Sequence, residues 1–138
     1  MRFMIIVRGN AISESGAMPD EQLMAAMASF HEDLAKAGVL LDATGLQPTS
    51  KGWRIRYDTG GKRTILDGPF TESKELVAGY TIIQVRSREE ALEWTRRFPA
   101  PFGPDMQSEI EVRQLYEAED FQDMPGSQCL RALKADTQ

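Results

Sequence analysis

The sequence predicts a single α+β domain, an antiparallel sheet with two helices on one face and an inserted β-hairpin. Three observations carry that expectation. Apolar spacing switches between strand and helix periods along the chain. The elements follow the order strand, helix, strand, hairpin, strand, helix, strand. A chain of 138 residues suits one domain, which at that size buries roughly two-thirds of the surface its unfolded form exposes.

Residues 2–8 hold a compact apolar run from Phe3 to Val7, read as a central strand buried on both faces. Residues 9–18, rich in Gly, Ser, Asn and Ala, read as a loop. Pro19, Asp20 and Glu21 open a helix, because Pro suits a first turn and acids suit the positive end of the helix dipole. Leu23, Met27, Phe30 and Leu34 then form one apolar stripe, and Gly38 ends the helix. A short strand at Val39–Leu41 follows. Trp53, Ile55 and Tyr57 alternate with Arg54 and Arg56, the pattern of a half-exposed strand. Gly60 and Gly61 turn the chain back into Arg63–Leu66. Ala78–Val85 is a longer strand. Ser87 and Glu90 form a capping box for a helix over Arg88–Phe98, with Ala91, Trp94 and Phe98 inward. Pro99, Pro101 and Pro104 end it, and Glu109–Arg113 alternates as the last strand. Residues 117–138 are weakly patterned and read as a polar arm or tail behind a domain of residues 1–116.

That order is the ferredoxin-like split βαβ plan, in which two helices cover one sheet face and leave the other apolar. An uncovered apolar face seeks a partner, so a homodimer enclosing a cavity between two sheets is expected.

Hydrophobic residues at 41% and charged residues at 27% give an ordinary globular balance. The net charge of -5 opposes phosphate backbones, so nucleic acid is not an expected partner. One cysteine, Cys129, allows no intrachain disulfide, and one histidine, His31, argues against a Cys/His zinc site. Cys129 has no neighbouring base in sequence that would make it a nucleophile. No loop for phosphates or dinucleotides and no serine triad is present, so no cofactor is expected. No apolar run reaches the roughly 18 residues that span a bilayer. The apolar stretch at the N-terminus is too short for a signal peptide and ends at Arg8. A cytoplasmic protein without membrane contact is the expectation.

The segment Asp67-Gly68-Pro69-Phe70-Thr71-Glu72-Ser73-Lys74-Glu75 closely resembles the signature of DGPF-domain proteins, a branch of the YCII-related family. Ala37-Gly38-Val39-Leu40, Gly45-Leu46-Gln47-Pro48, Gly79-Tyr80, Glu90-Ala91-Leu92-Glu93-Trp94 and Glu109-Ile110-Glu111-Val112-Arg113 agree in order and context. The resemblance covers residues 1–116. It implies a ferredoxin-like dimeric α/β-barrel, similar to muconolactone isomerase, and a link to extracytoplasmic-function sigma factors for some members. Shorter YCII relatives carry a His–Asp pair proposed as catalytic, with the His on the first helix. His31 lies on that helix too, but alignment on Gly38 puts the relatives' His near Met27, so the pair is not carried over.

Asp67 is the first catalytic candidate. It ends the run Thr64-Ile65-Leu66, where a carboxylate partly withdrawn from water can act as a general base. Asp-Gly-Pro is equally a turn, with Asp bonding nearby backbone N–H groups and Gly in a permissive conformation. His31 is the second, since an isolated imidazole can exchange protons at neutral pH, although Glu32 and Asp33 mark it as the polar flank of its helix. Phe70, Glu72, Lys74, Tyr80, Arg54 and Arg56 are the substrate-binding candidates. Lys74 and the two arginines suit an anion, Glu72 a proton, and Phe70 and Tyr80 a pocket wall. Each has a plainer reading: ion pairs or solvated charge for Glu72 and Lys74, the polar side of a ribbon for Arg54 and Arg56, and core packing for Phe70 and Tyr80.

The expected function is that of a small-molecule-binding dimer, with cofactor-free acid–base chemistry of an isomerase or lyase type at Asp67. The alternative is a non-catalytic regulatory module that contacts a sigma factor or another protein through the acidic stretch Glu117–Asp123.

Overall fold

The computed structural model describes residues 1–121, 124–126, 128, 132 and 133. Cys129 and most of the expected tail beyond Phe121 lie outside the described residues. Among the described residues the main elements run in the order β1 (Arg2–Arg8), α1 (Ala11–Ser15), α2 (Glu21–Lys36), β2 (Leu40–Gly45), β3 (Trp53–Tyr57), β4 (Arg63–Asp67), β5 (Val77–Gln84), α3 (Arg88–Arg96) and β6 (Ile110–Gln114). Short 3-10 turns fall at Thr49–Lys51, Ser73–Glu75 and Ala118–Phe121.

Four strands form an open antiparallel sheet in the order β2-β5-β1-β6. Each strand–helix–strand unit is thus split by a strand of the other, as the ferredoxin-like plan requires. Register sets the two faces. Phe3 pairs with Ile83 and Ile5 with Thr81 and Val112, and these point toward α2 and α3. Phe30 and Leu34 of α2, Ala91 of α3, and Val39 and Val85 at strand ends complete the buried core, with Trp94 and Phe98 packed on it. Met4, Ile6, Tyr80 and Ile82 take the opposite phase and lie half-buried on the face without helices.

The helix boundaries follow their caps. α2 begins after Asp20, whose carboxylate accepts a hydrogen bond from the Leu23 N–H at 2.8 Å. It ends where Gly38 adopts a φ of 74° and the Val39 N–H reaches back to the Leu34 carbonyl. In α3 the Ser87 hydroxyl accepts from the Glu90 N–H, but the Glu90 carboxylate reaches the N–H of Arg86, one residue before the expected partner.

Two expectations need correction. The 9–18 segment is not all loop. Asn10 accepts from the N–H groups of Ile12 and Ser13 while the Ser13 hydroxyl accepts from the Asn10 N–H, a reciprocal cap that starts α1. Nor is the β3–β4 hairpin half-exposed. It forms a two-stranded sheet of its own, and every residue of β3 is exposed. Among the described residues no third strand or helix joins it.

Candidate functional site

The loop over Asp67–Glu75 is held from below by a residue outside it. Thr49, opening the 3-10 turn before β3, donates its N–H to Glu14 Oε1 at 3.1 Å and its hydroxyl to Glu14 Oε2. Its Oγ1 accepts from the Phe70 N–H at 3.0 Å. The Glu14 carboxylate of α1 therefore fixes Thr49, and Thr49 fixes the loop. Gly68 lies directly on this turn. Its N–H donates to the Gly52 carbonyl at 3.0 Å, and a Cβ there would overlap the Thr49 carbonyl. Glycine at this position is thus demanded by close backbone approach.

With the loop pinned, the Phe70 ring stands against β3. The Arg54 guanidinium carbon sits 3.8 Å from the ring centroid, a cation–π stack. Both line an open groove of about 440 Å³ that also takes in Pro48, Lys51, Trp53 and Glu75. Lys51 and Arg54 bring two cations to the groove and Glu75 one carboxylate. Arg54 has no ion-pair partner among the described residues.

The other sequence candidates scatter. Asp67 ends β4 opposite Trp53 in register, exposed, and among the described residues its carboxylate makes no hydrogen bond or ion pair. Arg56 shares a hairpin face with Arg54 but is not in the groove. Lys74 points to a separate depression with Arg8, Asn10, Ser108 and Glu109. Glu72 is exposed, and its backbone carbonyl accepts from the Glu75 N–H at 2.9 Å.

His31 is bound inside the helix–sheet layer. Its Nδ1 lies 2.8 Å from the Met27 carbonyl, which only accepts, so that nitrogen carries the proton. In the neutral ring Nε2 then accepts from the Thr81 hydroxyl at 2.8 Å. Thr81 is 3% exposed, and the ring meets Phe30 and Phe98 edge-on. The imidazole satisfies a buried hydroxyl and ties α2 to β5.

Tyr80 lies on the face without helices, where its hydroxyl donates to Asp42 Oδ2 at 3.1 Å. The Asp42 carboxylate holds that proton and repels the phenolate, which raises the phenol above its ordinary value, with a smaller contribution from desolvation. Among the described residues no three His, Cys, Asp or Glu side chains stand together as a metal site, and no helix is long and apolar enough to cross a membrane.

The profile of the YCII-related domain matches residues 1–119, the sheet, both long helices and the pinned loop included. The chain belongs to the YCII-related family. An uncharacterized protein of Rhizobium meliloti (strain 1021) is 32% identical to this YCII-related chain over 77 residues. That match covers 56% of this chain and 61% of the relative, so the chain spans about three-fifths of the curated relative's length.

Thr49, Glu14, Lys51 and Asp42 were not among the sequence candidates. Gly45-Leu46-Gln47-Pro48 leads directly to Thr49, and that was the available signal. Glu14 and Asp42 stand 35 and 38 residues from their partners, with no local mark.

Proposed function

We propose that this YCII-related protein binds a small planar anion, an aromatic or unsaturated carboxylate, in the groove between the signature loop and the hairpin base. The stacking of Arg54 on Phe70 carries the reading. A guanidinium held flat on a ring keeps its N–H edge free for bidentate contact with a carboxylate, and the adjoining Trp53 and Pro48 offer surface to an aromatic body. Lys51 adds a second positive charge. In this reading the loop is a binding wall. Asp67 lies beside it, exposed, and among the described residues its carboxylate makes no hydrogen bond.

We also propose that two copies pair through the sheet face without helices, where Met4, Ile6, Tyr80 and Ile82 are half-buried. That pairing would give the dimeric barrel.

Trp53 reports binding directly. Titration with benzoate-class carboxylates is expected to change its fluorescence saturably, while the matching aromatic alcohols do not. Arg54→Ala should weaken the carboxylate about tenfold or more, the scale of a lost hydrogen bond to a charged group. An Arg54→Ala protein that binds as tightly as the parent would refute the assignment.

A further inference from the structure

We infer that the β3–β4 arm of one copy lies against the Tyr116–Phe121 segment of a second copy. This rests on the face-to-face dimer proposed above and adds where the arm goes. Register places Trp53, Ile55, Tyr57 and Ile65 on one face of the hairpin. They are 65%, 44%, 62% and 69% exposed. A lone two-stranded ladder is marginal in water, and among the described residues this one has neither a third strand nor a helix on its apolar face. From about 150–250 Å² per aromatic side chain, that face offers roughly 400–500 Å², about half of what one side of a standard interface buries.

Charge selects the occupant. Residues 51–67 hold five cations and two carboxylates, in a chain whose net charge is -5. The arm is therefore a basic, aromatic element on an acidic body, and its complement is acidic and aromatic. Residues 116–121, Tyr-Glu-Ala-Glu-Asp-Phe, meet that description with three carboxylates and no cation. Tyr116 is 73% exposed and rests on Phe121 at 5.0 Å between ring centroids.

Position makes the contact intermolecular. The arm's base joins the sheet where β1 ends, at Arg8 and Gly9, whose N–H donates to the Leu76 carbonyl. The acidic segment leaves where β1 begins: the Leu115 N–H donates to the Arg2 carbonyl, and Arg2 pairs with Glu117 at 3.0 Å. Seven residues of strand, roughly 20 Å, separate the two within one chain. A two-fold axis through facing sheets reverses one copy against the other and brings arm to segment twice, as an isologous dimer does.

The test places Ile65→Cys and Tyr116→Cys together in a Cys129→Ser chain and oxidises it. A covalent dimer is expected with both cysteines and not with either alone. Separately, sedimentation of Glu119→Lys should show dimer dissociation raised about tenfold or more, and Lys62→Glu in the same chain should recover most of it, since opposite charges meet across the contact. If the parent sediments as a monomer, the sheet-face dimer fails as well. If the parent is a dimer and the double-cysteine chain cross-links no better than the single-cysteine controls, this inference alone is overturned.

Discussion

Ile83 and Ile65 are the same residue in the same kind of strand, yet Ile83 is fully buried and Ile65 is 69% exposed. The first sits in a four-stranded sheet roofed by α2 and α3. The second sits in a two-stranded arm that no further strand or helix among the described residues roofs. The contrast shows that an alternating apolar strand does not determine its own burial. The neighbouring layer does.

Substitution sharpens this most. In urea unfolding of dilute protein, Ile83→Ala should cost about 2–5 kcal/mol through lost burial and a residual cavity. Ile65→Ala should cost less than about 0.5 kcal/mol. Equal costs would erase the distinction between body and arm. A smaller effect is expected at the joint between them. Thr49→Val removes the hydroxyl that links Glu14 to the Phe70 N–H, and should cost about 1–2 kcal/mol. It should also speed hydrogen exchange at the Phe70 amide, and unchanged exchange would show that the loop is held by something other than Thr49. The smallest effect lies on the open sheet face. Tyr80 has its phenol raised by Asp42, so the stability linked to it is present below the ordinary tyrosine value of 10.0 and is lost as pH rises through the raised one. In an ultraviolet titration Asp42→Asn should return one tyrosine toward its ordinary range, and an unmoved curve would remove Asp42 as the cause.

What could be read from the sequence was local. The periods of β1, β5, α2 and α3 lie within single windows of chain, and the glycine pair at 60 and 61 marks its own turn. α1 was missed because five residues are too few for an apolar stripe. Its mark was the Asn10–Ser13 spacing, a cap and not a period. The hairpin was found, but not its separation from the main sheet, because pairing partners do not show in alternation. The site was less legible for the same reason. Phe70 and Arg54 drew attention as residue types, while their contact depends on Thr49 and Glu14, which are distant in sequence. His31 illustrates the converse. Its type invites acid–base chemistry, while the hydroxyl it meets belongs to a threonine 50 residues away.

The arm, two strands wide among the described residues, carries a further consequence. A bare ladder with an aromatic face is a template on which extended chains can stack without limit. Here Arg54 and Arg56 lie on β3, Lys62 in the turn and Arg63 at the start of β4, so that a stray strand from another arm meets like charge before it can add. The arginines then act as guards against fibrous self-assembly, and a chain stripped of them would tend to leave solution as aggregate.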